Sequence, residues 1–423
     1  MKKQYHYFLT VAIIFFISFG FPSFLLAQSK KEIKAFRKIG DKYVFNVKMK
    51  NKQVSEKNHF RLQSGSVIVP VTINGKIYNF AFDTGATTLF SDSLAKELKA
   101  TSSVSLPALD AAGIADTIKF YSTDNVCLGN LCFDNVGYGV TNLDAFETHL
   151  CMRIDGLLGV NIIKLLNWEI DFSNQIITVS DKPFLATDYG MEIPFEEALG
   201  GRTPEIKMKM GEYSFWATLD MGNNDLIQIP DSLFFKSRVS KYLKYAKGEG
   251  KNTETLFNDE TPQNQYISQI DTFYMGNNLI VNEMVCITPS TMILIGNKFL
   301  MKYGKIAINW KQKKIFLGKK DENKMIENDT IDEFVPTVQD NQLIVSFIWE
   351  NTDAYRAGIR LGDQITSING ISTEKINSSQ WCEISEEIKN LDNPTVEIVK
   401  KFTKEKVTLP LKNITYKSLM EMD

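Results

Sequence analysis

Histidine is nearly missing from this 423-residue chain, which has three. His6 lies in an apolar leader, and the remaining two, His59 and His149, stand in no supporting motif. A Ser-His-Asp triad, a Cys-His pair or a histidine-held metal site would have to use one of them, so those chemistries lack their parts. An excess of either charge is missing too. The formal net charge is −2, so nothing draws the chain generally toward nucleic acid or anionic lipid. Cysteine is sparse, at 127, 132, 151, 286 and 382, and these spacings do not suggest a zinc site. After the N-terminus there is no apolar run long enough to span a bilayer.

The leader is present and distinctive. Met1-Lys2-Lys3 precedes a mostly apolar run from Phe8 to Ala27. This resembles a secretory signal over 1–27 with cleavage near Ala27, which predicts an exported protein, periplasmic or secreted. The alternative is an uncleaved anchor, in which case the membrane is met only through this segment. Export permits disulfides. Cys127 and Cys132 flank Leu128-Gly129-Asn130-Leu131, a hairpin-like turn, so a cross-hairpin bridge and two buried thiols are both open. The odd count leaves at least one cysteine unpaired within the chain.

Scarce histidine directs attention to carboxylates. Residues 28–60 read as an N-terminal segment with one strand at Tyr43–Val47 and no chemistry. Val67–Ile73 is a β-branched run, Asn74-Gly75 a hairpin turn, and Lys76–Phe82 the return strand. That strand delivers Asp83-Thr84-Gly85-Ala86 at its buried end, where an ionisable group is costly unless something pairs or uses it. Ser91–Leu98 then reads as a short helix, and Asp110-Ala111-Ala112-Gly113 as a small-residue hairpin tip. Asp155-Gly156-Leu157-Leu158-Gly159 follows, then a closing hairpin through Trp168–Phe172 and Ile176–Val179.

The same order recurs. Tyr213–Leu219 ends in Asp220-Met221-Gly222-Asn223, and Leu294-Ile295-Gly296-Asn297 parallels Leu158-Gly159-Val160-Asn161. Asp83 and Asp220 lie 137 residues apart, as do Gly159 and Gly296. A duplicated lobe of roughly 120 residues accounts for both offsets.

Two carboxylates brought within about 3 Å cannot both ionise cheaply, so they share a proton. Such a pair can act as base toward a water and as acid toward a carbonyl oxygen and a leaving amine. On these residues the chain resembles the aspartic protease family, in its retropepsin-like branch, over about residues 60–318. The resemblance implies two tandem β-barrel lobes, 61–185 and 186–318. It implies a catalytic dyad of Asp83 and Asp220 supported by Thr84, Gly85 and Gly222, a polypeptide substrate, and no cofactor or metal. It also places the flap, the hairpin that closes over substrate, at Asp110–Gly113. Met221 departs from the family pattern, which has Thr or Ser there, and Asn223 stands where a small residue is usual. The alternatives are an inactive protease-like adaptor that binds peptide, and a homodimer that pairs two copies of Asp83.

Residues 319–332 read as a charged linker. From 333 to 423, Arg356-Ala357-Gly358-Ile359-Arg360-Leu361-Gly362-Asp363-Gln364-Ile365 followed by Ile368-Asn369-Gly370 resembles a PDZ domain of the bacterial form. That implies an α+β domain that docks a peptide by strand addition. The fold class expected for the whole chain is mainly β.

Overall fold

A computed structural model describes residues 30–99, 104–111, 113–198, 201–236, 241, 243–251, 256–257, 262–320, 330–389, 391 and 394–422. The leader and its cleavage position lie outside these residues, as does most of the expected linker. The fold is mainly β. Among the described residues no helix is long and apolar enough to cross a membrane.

The β-branched run becomes the strand Ser66–Ile73, and it pairs antiparallel with Lys76–Phe82 across the Asn74-Gly75 turn. The short strand Gly156–Leu158 then inserts between two others. It runs parallel to Lys76–Phe82, with Leu158 beside Phe82, and antiparallel to Leu89–Ser91. The second half repeats this plan. Leu294–Ile295 runs parallel to Tyr213–Leu219 and antiparallel to Ile227–Pro230. The halves meet in a shared antiparallel sheet. Asn167–Asp171 and Lys305–Asn309 form its centre, with Trp168 opposite Ile308. One apolar core runs through both halves and holds Phe82, Trp168, Leu219, Ile295 and Ile308. The two aspartate turns are therefore carried on strands that share one core.

Residues 334–410 form a unit with its own core, which includes Leu343, Val345, Ile359, Ile365, Val396 and Ile398. It is joined to the rest at several points. The strand Gln342–Trp349 pairs with Tyr245–Gly250 of the second half, Gly248 opposite Trp349. The terminal helix Tyr416–Glu421 buries Tyr416 and Leu419 with Leu226, Ile267 and Cys286. A disulfide joins Cys151 of the first half to Cys382 on the helix Ser378–Ile388, across 231 residues.

Two local expectations are corrected. Tyr43–Val47 is not a strand. Lys30–Tyr43 is a helix, and the Val44 and Phe45 amides turn back onto the Gly40 carbonyl, so strands begin only at Lys48–Met49 and Ser55–His59. The end of the expected linker is also ordered: Thr330–Asp332 pairs with Asn413–Thr415, a partner more than 80 residues away that no local pattern announces. Of the cysteines, Cys127 and Cys132 are bridged and Cys286 is free and buried.

Candidate active site

Each aspartate leaves its strand held by the inserted segment. The Asp83 amide donates to the Leu158 carbonyl and the Asp220 amide to the Ile295 carbonyl, both at 3.0 Å. Each carboxylate then caps its own turn. Asp83 Oδ1 accepts from the Gly85 and Ala86 amides at 2.7 and 3.0 Å. Asp220 Oδ1 accepts from those of Gly222 and Asn223 at 3.0 and 3.3 Å. These local bonds aim both carboxyl groups at the seam between the halves.

The turns fit into one another. A methyl group at Gly85 would overlap the Asp220 carboxyl, and one at Gly222 would lie 2.6 Å from Asp83 Cγ. Only glycine leaves room for the opposite carboxyl at either place. Asp83 and Asp220 thus meet across the seam, each carboxyl against the glycine of the opposite turn. Asp83 is 6% exposed, and Asp220 keeps partial access to solvent.

Both acids are pushed above the usual carboxylate range. For Asp83 burial is the largest cause, opposed by the Gly85 and Ala86 amides and by the bond from Asp220. For Asp220 burial again leads, the neighbouring Asp83 charge adds to it, and the rise is larger. The two acids therefore titrate as one unit that holds a proton more tightly than a free carboxyl does.

Thr84 is fully buried and fastens the two turns together. Its hydroxyl donates to the Leu219 carbonyl at 2.6 Å and accepts from the Met221 amide at 3.0 Å. The Met221 side chain offers no such group and packs into the shared core. The cross-seam bonding by this position is one-sided, as the sequence pattern implies.

Asn161 and Asn297 were visible in the repeat but carried no assigned role. Asn161 Oδ1 accepts from the Thr88 amide at 2.8 Å, and its Nδ2 donates to Gly137. Asn297 Nδ2 donates to the Met221 carbonyl at 2.8 Å and to Gly65 at 3.0 Å. Each braces the turn beside it.

The expected flap is a hairpin of Val104–Leu109 and Ala115–Thr123. Its tip rests on the second half. Ser290 Oγ donates to the Ala111 carbonyl at 2.7 Å, and the Phe257 amide donates to Asp110 Oδ2 at 3.2 Å. Asp110 itself is 2% exposed. Sequence reasoning found the tip but not these contacts, whose partners are distant in the chain.

The aspartyl protease family profile matches residues 69–162. The span carries Asp83-Thr84-Gly85 and Asp155–Gly159, and stops well short of Asp220. The match supports aspartic peptidase activity. Among solved structures, the chain is similar to a retropepsin-like aspartic protease from Rickettsia conorii, at 16% identity and a TM-score of 0.23, over 31% of this chain and 94% of that one. No functionally curated protein matches the chain.

Proposed function

We propose that the chain is an exported aspartic endopeptidase that uses Asp83 and Asp220 as a dyad. The observation that carries this reading is the pair of carboxyl groups that face one another between two turns of the same plan, each against the opposite turn's glycine. Asp83, ionised, is the base that takes a proton from a water placed between the acids and the scissile carbonyl. Asp220, protonated, donates to the carbonyl oxygen as the water adds. As the gem-diol collapses and the C–N bond breaks, the proton gained by Asp83 passes to the leaving amine while Asp220 takes back a proton from a gem-diol hydroxyl, so the pair returns to its single shared proton. The fixed amides at Gly85, Ala86, Gly222 and Asn223 hold the carboxyl groups without reorganisation during the reaction. The Asp110–Gly113 tip serves as the flap.

Export is supported by the leader sequence and by the two disulfides, which persist in oxidising compartments. For residues 333–423 we propose a PDZ domain that docks a peptide of the substrate or a partner. Its support is the sequence pattern around Gly358–Gly370 and the arrangement of strands about the helix Ser378–Ile388.

The test is cleavage of an unfolded polypeptide at acidic and neutral pH by the wild type, Asp83→Ala and Asp220→Asn. The dyad predicts turnover by the wild type alone. Activity retained by Asp220→Asn would favour a homodimer pairing two Asp83 residues. Equal background in all three would favour the peptide-binding adaptor, the reading that Met221 supports.

A further inference from the structure

Glu205 is a buried acid that the proposed mechanism does not use. It lies on the strand Pro204–Met210, directly opposite Thr218 of the strand Tyr213–Leu219. Thr218 Oγ1 donates to Glu205 Oε1 at 2.8 Å, and Thr203 Oγ1 approaches the same oxygen at 3.4 Å. The two side chains therefore stand on one face of the sheet. Thr218 lies two residues before Asp220, at the end of the strand that delivers the turn. Glu205 therefore belongs to the second half, cross-strand from the lead-in to Asp220.

Its surroundings do not explain a carboxyl group. Glu205 is 8% exposed, and no cation among the described residues pairs with it. Among the described residues its second oxygen, Oε2, takes no hydrogen bond, and it is not sealed from solvent. Burial lifts this carboxyl to about 6, so near neutral pH it is still mostly an anion. A buried anion without a cation is a cost to the fold. The first half shows that the scaffold does not require it. At the positions 137 residues earlier, Ile68 stands opposite Ala81, and both belong to an apolar cluster.

We infer that Glu205 is the floor of a substrate subsite on the Asp220 side of the cleft, and that it takes a cationic side chain, lysine or arginine, of the polypeptide substrate. The cation that the fold withholds from Oε2 arrives with the ligand. Thr218 fixes the carboxyl by its hydroxyl. The Ile68–Ala81 side takes an apolar residue by the same geometry. The inference rests on the peptidase reading for the direction in which the substrate lies.

The test is a positional series of peptides, each pair identical save for lysine or norleucine at one position, given to the full-length protein. Wild type is expected to prefer lysine at one position on one side of the cleaved bond by about tenfold in kcat/KM. Glu205→Gln keeps the shape and removes the charge, and should bring that ratio near unity. A purely structural role for Glu205 would lower both members of a pair alike and leave the ratio standing. No lysine preference at any position, or a preference that survives Glu205→Gln, overturns the subsite. Should Glu205→Gln not fold, the double variant Glu205→Ile/Thr218→Ala, which copies the Ile68–Ala81 pair, takes its place. If neither folds, the wild-type ratio decides. If wild type cleaves nothing, the peptidase reading falls, and the same pairs are titrated by calorimetry. Tighter binding of a lysine peptide then keeps the subsite, and equal or absent binding overturns it.

Discussion

At Asp83 the turn carries a threonine whose hydroxyl crosses to the other half, while at Asp220 the same place carries a methionine that points into the shared core. The backbone plan is otherwise kept: the same inserted strand, the same amides on the carboxylate, the same glycine facing the opposite acid. A duplicated turn can thus lose its hydroxyl and still be placed, because Thr84 holds it from the far side and Asn297 from below. The difference also divides the acids. Asp83 is the more enclosed carboxylate and Asp220 the partner with more access to solvent, while both bind a proton more tightly than a free carboxyl.

The strongest way to break this comparison is to neutralise one acid at a time. Asp83→Asn and Asp220→Asn should each lower the rate of polypeptide hydrolysis by about 10³-fold or more, measured on an unfolded substrate. A large loss at Asp83 with none at Asp220 would mean that the second turn is a structural relic. Next in size is Gly85→Ala. Its methyl group displaces the Asp220 carboxyl from the seam, so activity should fall by about 10²-fold while the circular dichroism spectrum stays native.

Thr84→Val tests the one-sided fastening. It leaves the Leu219 carbonyl and the Met221 amide without their partner in a buried place. The expected cost is about 1–3 kcal/mol in denaturant unfolding, with Thr84→Ser recovering most of it. A neutral Thr84→Val would show that the turns are held by backbone and core alone.

The smallest effect expected is a pH dependence. Folding raises the Asp220 value above the unfolded 3.8, so the folded chain binds this proton more tightly than the unfolded one. Stability from this group is fully present below that value and is lost as pH rises toward the folded one. Asp220→Asn has no such titration. The stability of wild type minus that of the variant should therefore decline as pH rises above 3.8 in denaturant titrations. A difference that grows with pH would contradict a raised Asp220 value. Glu205, lifted to about 6 by burial, has the same sign over its own window above 4.5, and Glu205→Gln removes it.

Much of this was legible in the chain. Asp83-Thr84-Gly85 after an apolar strand, and a second acid at the same offset as a second glycine, are local patterns with local causes. Turn and strand residues carry their own backbone preferences, so Asn74-Gly75 and the β-branched run before it announced the first hairpin correctly. The 30–43 helix was missed because its lysine-rich composition hid an apolar stripe, Ile33, Phe36, Ile39 and Tyr43, at helical spacing. The Cys151–Cys382 bridge was missed for another reason: disulfide connectivity depends on where distant segments come to rest, and spacing does not encode it.

By itself, then, the sequence determined the two turns, their glycine neighbours, the repeat that relates them and the missing hydroxyl at Met221. Only the tertiary structure decided that the two carboxyl groups meet, that Thr84 bonds across the seam with no counterpart at Met221, and that Glu205 stands against Thr218 with no cation among the described residues. The physical reason is range. Propensity and periodicity act over a few residues, whereas a bond between groups 135 or more residues apart depends on the shared central sheet and its core, which exist only once both halves have folded together.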